Sequence, residues 1–252
     1  MVMADNIAVK VENLSKGFGD IRVLDDITLH VNTGENLVVF GRSGTGKSVL
    51  LKCIIGLMKP EAGNIYVQGI DVLNISIKQL NEIRKNIGFL FQGAALYDSM
   101  SVRQNLEFPL IRHFDFSPKE IESKIYRTLE LVSLTDAIDK MPSELSGGMK
   151  KRIGLARSII SEPQLMLYDE PTTGLDPITA KEISELIINL QKHLKMTSIA
   201  VTHDLMCAKI IADRAIFLKD AKIAYEGDIE TLTNSKDKFL VNFFSHDLIK
   251  ES

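Results

Sequence analysis

The sequence carries no excess of charge of either sign. Its 30 Lys and Arg residues and 33 Asp and Glu residues leave a net charge of -3. This balance lacks the electrostatic footprint of a protein that binds nucleic acid. The one basic run, Lys150 to Arg152, fits the solvated face of a helix. We therefore expect no nucleic-acid partner.

The chain also has few cysteines and no long apolar run. Only Cys53 and Cys207 occur, both in apolar segments where a free buried thiol is the ordinary interpretation. Residues 1–16 have no apolar core like that of a signal peptide, and no stretch of about eighteen uncharged apolar residues is present to span a bilayer. We expect a cytoplasmic protein that reaches a membrane only through a partner.

Apolar residues follow strand patterns separated by helical ones. Alternation across 7–31 indicates antiparallel strands around the turn KGFGD, whereas NLVVFG, LMLYDE and SIAVTH are continuous apolar runs typical of buried parallel strands. Ser117 and Asp176 are predicted helix caps, each followed by proline. IFLKDAKIAYEGD predicts a hairpin that turns near Asp220 and Ala221. The alternation of strands and helices predicts an α/β fold with a mainly parallel sheet.

A single domain is expected across 1–252. We predict a sheet core from 1–92 and 161–227 and a helical insertion at 93–160, where no convincing buried strand occurs. Residues 228–252 are predicted to form a short helical tail with several aromatic side chains. The tail either reaches a neighbouring subunit or folds back on its own domain.

The segment GRSGTGKS fits the phosphate-loop pattern G-x-x-x-x-G-K-[ST] between a predicted strand and helix. Glycines let consecutive backbone N–H groups approach phosphate oxygens. Lys47 is expected to neutralise the terminal phosphates and Ser48 to hold Mg²⁺ at the positive end of the helix. A glycine-rich turn without a ligand is the alternative, which the flanking strand and helix disfavour. The predicted nucleotide-binding residues here are Gly41, Ser43, Gly44, Thr45, Gly46, Lys47, Ser48 and Val49.

Polar residues end three other apolar runs. Asp169 is the predicted Mg²⁺ ligand, and Glu170 can orient and polarise the attacking water. His203 can contact the terminal phosphate, and Gln92 can coordinate Mg²⁺ and water. Each has a structural interpretation on its own, as a helix cap, a satisfied histidine or a loop amide. Together with Lys47, the residues Gln92, Glu170 and His203 form the predicted catalytic set.

LSGGMKKR is a second glycine-rich segment. Ser146 is placed to cap a helix whose first turn contains Gly147 and Gly148, which would make another anion-binding helix end. An ATP held by the first loop has an exposed terminal phosphate. The second segment is therefore predicted to close over the nucleotide of another copy of the chain.

In their order, these segments resemble the ATPase subunit of ABC transporters along nearly the whole chain. GRSGTGKS resembles the Walker A motif, LMLYDE the Walker B motif, LSGGM the signature motif and GLD, Gly174 to Asp176, the D-loop. Gln92 and His203 match the Q-loop and the switch histidine. Phe18 is similar to the aromatic residue that stacks on adenine, although plain packing is an alternative.

The resemblance implies a P-loop NTPase fold with a mainly parallel core, an N-terminal antiparallel β region and a helical insertion. It implies ATP and Mg²⁺ as ligands and a head-to-tail dimer with two ATP molecules between the copies. Hydrolysis would open that dimer and produce a mechanical stroke. The implied metal ligands are Ser48, Gln92 and Asp169. The implied nucleotide contacts of the signature and D-loop are Ser146, Gly147, Gly148 and Asp176, with Ser146 and Gly148 supplied by the opposite copy.

Within that superfamily, LFQGAALYDSMSV, GKSVLLK, ELSGGMKKR and YDEPTTGLDPI are most similar to the ATPases of MCE-type lipid transporters, the Mla and toluene-tolerance group. This resemblance implies transport of phospholipid or related lipid between bacterial membranes. The implied partners are a permease, an MCE lipid-binding protein and, in some systems, a STAS-domain subunit. The chain would then lie on the cytoplasmic face of the inner membrane, docked through residues 93–110 after Gln92, the docking segment.

Other functions stay open at this point. The chain is either this ATPase or that of another ABC class, such as an importer of small molecules or amino acids. A non-transport ABC protein would normally have a long coiled coil or two cassettes. A GTPase or small-molecule kinase would lack LSGGM, and no N-K-x-D stretch occurs. A regulatory nucleotide-binding module would be expected to lack Glu170 or His203.

Overall fold

A computed structural model describes residues 6–42 and 44–248, so the predicted loop residue Ser43 lies outside the described residues. Within those ranges the strands are β1 (Ile7–Phe18), β2 (Ile21–Asn32), β3 (Asn36–Phe40), β4 (Ala62–Val67), β5 (Ile70–Asp71), β6 (Ile87–Leu90), β7 (Leu165–Asp169), β8 (Thr197–Val201), β9 (Arg214–Lys219) and β10 (Lys222–Gly227). The α-helices are α1 (Lys47–Ile54), α2 (Ile77–Arg84), α3 (Val102–His113), α4 (Pro118–Leu131), α5 (Gly147–Ile159), α6 (Pro177–Leu194), α7 (Leu205–Ile211), α8 (Ile229–Thr233) and α9 (Lys238–Leu248). Among the described helices, none has both the length and the apolar character needed to cross a bilayer.

The chain divides into two compact units with boundaries other than those of the predicted core and insertion. One unit comprises 1–80 and 197–252, and the other comprises 81–196. The second unit contains β6 and β7 in addition to the helices between them, because these two strands pair with each other in parallel. The apolar run that precedes Gln92 contains β6, a parallel strand in addition to the three that the sequence predicts.

The first unit begins with an antiparallel sheet in the order β2-β1-β4-β5. Val9 pairs with Val31 and Val11 with Leu29, and all four side chains are buried. The alternation in this part of the sequence therefore predicts the buried face correctly. Strand β1 continues to Phe18, so KGF, which we expected in the turn, belongs to the strand.

The first unit also contains parallel pairs formed by β3 with β8 and with β9, and β10 adds to β9 in antiparallel orientation. Every residue of β3 and β8 is buried, as continuous apolar runs predict. Asp220 and Ala221 have φ angles of 49° and 64° and form the expected two-residue hairpin turn. These pairs and the antiparallel sheet confirm the predicted α/β class.

In the second unit, α3, α4 and α5 surround an apolar core. Helix α4 has the predicted capping box, in which Ser117 accepts from the Glu120 amide and the Glu120 carboxylate accepts from the Ser117 amide. Four apolar residues that recur at helical spacing along α4 and at its end are buried in this core: Ile121, Ile125, Leu129 and Val132. The buried core residues are Val102, Leu106, Leu110, Ile121, Ile125, Leu129, Val132, Ala137, Ile138, Leu145, Ile153, Ala156 and Ile160.

The C-terminal helix α9 packs on its own unit through aromatic side chains. Its Phe244 is only 3% exposed, and the ring centroid lies 5.5 Å from that of Phe40 at the end of β3. The ring centroids of Phe239 and Phe243 lie 5.3 Å and 4.6 Å from the ring centroid of Phe217 on β9. Of the two arrangements considered for the tail, the structure therefore shows the one that folds back on the same domain.

Candidate nucleotide-binding and hydrolysis site

The phosphate loop connects the buried strand β3 to helix α1. Lys47 begins α1, and its side chain is buried although it carries a charge. Its Nζ donates to the carbonyl oxygens of Gly41 at 2.7 Å and Arg42 at 3.3 Å. Thr45 also donates to the Arg42 carbonyl, through its amide at 3.2 Å and its hydroxyl at 2.8 Å. The loop thus curves around the ammonium group, which is the group suited to bind phosphate oxygens.

Two glycines of the loop are required by backbone conformation. Gly46, the N-cap of α1, has a φ of 94°. A Cβ added there would lie 2.7 Å from the Val23 carbonyl oxygen and 2.9 Å from Leu24 Cδ2. Gly44 has a φ of 82° with no atom within 4 Å of an added Cβ. Gly46 is therefore required by conformation and close packing, and Gly44 by conformation alone.

His203 lies next to the phosphate loop in the first unit. The parallel strands β3 and β8 pair up to Val39 and Val201, and the Thr202 amide continues the pairing by donating to the Val39 carbonyl at 3.2 Å. The exposed His203 follows at once. Asp204 next to it caps α7 by accepting from the Cys207 amide at 3.0 Å. The structure thus places His203 beyond the end of β8, and beside it the end of β3, from which the phosphate loop leads to Lys47, Ser48 and Val49 of α1.

Phe18, the proposed adenine contact, is the last residue of β1. Its side chain is 48% exposed, which is unusual for a phenylalanine that only fills a core. The Lys16 ammonium lies 5.2 Å from the centroid of its ring. An exposed ring with a cation nearby is available to stack on a base.

Gln92, Asp169 and Glu170 belong to the second unit. The parallel pair β6 and β7 ends with Leu90 opposite Tyr168, so Gln92 and Glu170 lie at corresponding positions beyond it. Asp169 is 7% exposed at the end of β7. Glu170 adopts a φ of 51°, in the left-handed region. The sheet therefore brings the amide and both carboxylates to one edge.

Thr173 supports the conformation of Glu170. Its amide donates to the Glu170 carbonyl at 3.3 Å, and its hydroxyl donates to Glu170 Oε2 at 3.2 Å. A non-glycine residue in the left-handed region costs about 1–2 kcal/mol. The turn after β7 thus fixes both the backbone and the carboxylate of the proposed base.

The sequence interpretation of the basic run Lys150 to Arg152 is wrong for its middle residue. Lys150 is exposed, but Lys151 is 5% exposed and lies inside the unit. Its Nζ donates to the Gln92 carbonyl oxygen at 2.5 Å and to the Glu170 carbonyl oxygen at 3.2 Å. Burial lowers the pKa of Lys151, against the opposing effect of the Asp169 and Glu170 charges. The helical spacing could have indicated this burial, because Lys151 lies one turn before the apolar Leu155 and therefore on the same face of the helix.

The signature segment forms the predicted helix start. The Ser146 hydroxyl oxygen accepts from the Met149 amide at 3.2 Å and caps α5. Gly147 and Gly148 occupy the first turn, and a Cβ on Gly148 would lie 2.8 Å from Thr179 Cγ2 on α6. Close approach of α6 therefore requires glycine at 148.

Asp176 caps α6, as its position before proline predicts. Its carboxylate accepts from the Thr179 amide at 3.1 Å and from the Thr179 hydroxyl at 2.6 Å. These hydrogen bonds lower the pKa of Asp176. Because Thr179 also lies beside Gly148, the cap of α6 and the start of α5 are fixed against each other.

The predicted metal ligands have suitable chemistry for Mg²⁺. Ser48 offers a hydroxyl oxygen, Gln92 an amide oxygen and Asp169 a carboxylate oxygen. Mg²⁺ binds such hard oxygen donors and keeps several water or phosphate ligands. The structure places Ser48 in the first compact unit and the other two residues in the second.

Residues 24–173 match the family model described as ABC transporter. The chain belongs to the ABC transporter family. It is 40% identical over 243 residues to the probable ribonucleotide transport ATP-binding protein mkl of Mycobacterium leprae, covering 96% of this chain and 70% of that protein. It is 41% identical over 235 residues to the intermembrane phospholipid transport system ATP-binding protein MlaF of Haemophilus influenzae, covering 93% of this chain and 89% of that protein.

Among solved structures, the chain resembles a dimeric ATP-binding cassette in a post-hydrolysis state bound to ADP and phosphate. The TM-score is 0.80 at 32% identity, over 88% of this chain and 98% of that one. The chain is therefore an ABC ATPase with the P-loop NTPase fold, the ATP-binding and hydrolysing subunit of a transporter.

Proposed function

We propose that this ABC ATPase drives the movement of phospholipid or a related lipid between bacterial membranes as part of an MCE-type system. The match to the phospholipid transport ATPase MlaF carries this proposal, because it extends over 89% of that protein at 41% identity. The mkl protein bears the name of a ribonucleotide transporter at nearly the same identity, but the chain spans only 70% of it. Ribonucleotide transport is the competing substrate class.

In the proposed reaction, the first unit binds the phosphates. The buried Lys47 ammonium, which donates to the Gly41 carbonyl oxygen of the loop, neutralises the terminal phosphates. The exposed His203 contacts the terminal phosphate, and the exposed Phe18 ring stacks on adenine. ATP affinity is thus assigned mainly to these residues.

The second unit positions the attacking water. The Glu170 carboxylate, which Thr173 restrains, orients that water and accepts its proton. Ser48, Gln92 and Asp169 are the proposed ligands of Mg²⁺, which when bound neutralises charge on the phosphates. Asp169 is the last residue of β7 and Gln92 follows the end of β6 by two residues, so both lie at this edge of the sheet.

A second copy of the chain completes each site in this proposal. The start of α5 presents amide groups at Ser146 and Gly148 that are suited to an anion. We assign these groups, with Gly147 and Asp176, to the nucleotide held by the opposite copy. A membrane permease docks on the segment after Gln92, and an MCE protein and a STAS-domain subunit are the further partners proposed. The ATPase would then act from the cytoplasmic face of the inner membrane.

Replacement of Glu170 by Gln tests the assignment of the base. We expect ATP binding to persist while turnover falls about 10²- to 10⁴-fold, the usual contribution of a general base. The variant should also accumulate as an ATP-bound dimer, which size-exclusion chromatography with light scattering would detect. Turnover close to the wild-type rate would contradict the role of Glu170.

The lipid assignment is tested with the complete transporter purified through a tag on this subunit. Mass spectrometry should identify a multi-spanning permease and an MCE-domain protein. After reconstitution, ATP should drive transfer of a fluorescent phospholipid, and the complex that carries Glu170→Gln should not support it. Stimulation of hydrolysis by ribonucleotide, or recovery of a sugar or amino-acid permease, would reject the lipid assignment.

A further inference from the structure

One face of α5 runs beside the segment that follows β6. Lys151 donates from Nζ to the carbonyl oxygen of Gln92. Three residues further along the helix, Gly154 lies so close to Ala94 that an added Cβ would be 2.8 Å from the Ala94 Cβ. Residues three apart share a helix face. The helix therefore contacts the proposed docking segment at its beginning and again two residues later.

The same face of α5 holds the segment at a third position. Arg157, three residues after Gly154, places its guanidinium 5.3 Å from the centroid of the Tyr97 ring. The Asn105 amide oxygen accepts from the Tyr97 amide at 2.8 Å and from Arg157 Nη1 at 3.5 Å. Residues 92–97 are thus anchored to α5 at both ends, with Lys151 at the end nearest the strand.

Lys151 also reaches the other strand of the pair. Because Leu90 lies opposite Tyr168, the carbonyls of Gln92 and Glu170 come next to each other beyond the strand ends. One ammonium group donates to both oxygens. It therefore fixes the start of the docking segment relative to the backbone of the proposed base.

The position of Glu170 depends on such restraints. Its φ of 51° is a conformation that an isolated glutamate rarely adopts. The Glu170 carbonyl accepts from the Thr173 amide as well as from the Lys151 ammonium. A bond from a charged donor is stronger than one between neutral groups. Its loss would remove the stronger of these two bonds and loosen the backbone that positions the carboxylate.

We infer that Lys151 is a positioning residue for ATP hydrolysis, which holds the Glu170 backbone and the Gln92 strand end in the geometry that the reaction requires. The inference rests on the proposed role of Glu170 as the base. The inference gives Lys151 a function that its neighbour Lys150 does not share, because Lys150 belongs to the same basic run but is exposed. Lys151 acts through Glu170 and Gln92 and does not itself contact ATP in this assignment.

The charge of Lys151 is suited to this position. Asp169 and Glu170 are close enough to oppose the effect of burial on the ammonium. A buried charge without partners would be strongly unfavourable, whereas here two carbonyl oxygens and two nearby carboxylates compensate it. A residue of the same length without a charged donor would remove the restraint with little change of volume. Methionine meets that description.

The test compares Lys151→Met with the matched control Lys150→Met in the full-length protein. We expect Lys151→Met to lower kcat about ten- to a hundredfold, the factor associated with loss of a charged hydrogen bond that matters in the transition state. The ATP dissociation constant, measured with a fluorescent ATP analogue, should stay within about threefold. Such a split between kcat and binding is not expected from general destabilisation. Lys150→Met should behave as wild type.

A double-variant cycle decides whether Lys151 acts through Glu170. In a Glu170→Gln background, Lys151→Met should cause no further loss of the residual turnover, because the group that it positions is already absent. An equal loss in both backgrounds, or a kcat within twofold of wild type for Lys151→Met, would overturn the inference. Should that variant not fold, Lys151→Gln, which keeps a neutral donor, enters the same cycle with the same criteria. Wild-type turnover by Glu170→Gln alone would instead refute the assignment of the base.

Discussion

Replacement of Gly46 by Ala is a sharp test of how the phosphate loop is built. The residue caps α1 with a φ of 94°, and an added Cβ would meet the Val23 carbonyl at 2.7 Å and the Leu24 side chain at 2.9 Å. The backbone conformation costs an L-residue about 1–2 kcal/mol. Insertion of a methyl group into a filled space costs about 1–3 kcal/mol more. Together they predict a loss of about 2–5 kcal/mol in the free energy of unfolding.

Gly34→Ala is the matched control. Gly34 has a φ of 82°, but no atom lies within 4 Å of an added Cβ. Its replacement therefore carries the conformational cost of about 1–2 kcal/mol without the steric one. Ala also reduces the conformational entropy of the unfolded chain, which favours the folded state by about 0.4–1 kcal/mol in both variants and cancels in the comparison. Gly46→Ala should thus be less stable than Gly34→Ala by about 1–3 kcal/mol.

Urea unfolding of the two variants measures this difference, and titration with a fluorescent ATP analogue measures the effect on the loop. Gly46→Ala should also weaken ATP binding because it moves the start of α1, whereas Gly34→Ala should leave the affinity unchanged. If the two stabilities agree within about 0.5 kcal/mol, the contacts of Gly46 with Val23 and Leu24 do not matter and the steric argument fails.

Three further predictions concern other contacts. Burial alone would raise the pKa of Glu35, but hydrogen bonds from Arg214 and the backbone hold this pKa below 4.5. The stability advantage of wild type over Glu35→Gln should therefore be complete above about pH 4.5 and disappear as the pH falls below that value. Unfolding measured at a series of acid pH values would show no such convergence if the bond were unimportant. Asn105→Ala should cost about 1–3 kcal/mol and speed hydrogen exchange at the Tyr97 amide, because it leaves partly buried backbone groups without this partner, and unchanged exchange would disprove this. Phe244→Ala should lower the free energy of unfolding by about 3–5 kcal/mol at every protein concentration, and a loss that appears only at high concentration would indicate that the tail packs on another copy.

Local sequence is sufficient to predict much of this fold and its site. The capping box at Ser117, the cap at Asp176 and the hairpin turn at Asp220 each depend on residues within a few positions. The phosphate loop is equally local, because glycines, lysine and helix start are contiguous. The parallel sheet follows from buried runs such as β3 and β8, whose side chains are apolar on both faces.

Features that depend on distant partners are not predicted in this way. The charge of Lys151 indicated a solvated helix face, whereas its partners Gln92 and Glu170 lie 59 and 19 residues away in sequence. Asn105 is fully buried for a related reason, since it binds the backbone of the preceding loop at Tyr97 and Met100. A charge pattern along one helix contains no information about such acceptors. Only the packing of α5 against β6 and β7 reveals them.

The contacts along α5 place Ser146, Lys151 and Arg157 on one helix. Its first turn begins at Ser146, its second contains Lys151, and its last carries Arg157 against Tyr97. A helix of this length moves as a unit, so a displacement of the docking segment at Tyr97 cannot leave the other two positions unchanged unless α5 breaks. The signature end and the proposed base are therefore subject to the same displacement. A permease bound at the proposed docking segment would thus act on both through α5, and the coupling between Lys151→Met and Glu170→Gln tests the link between α5 and the proposed base.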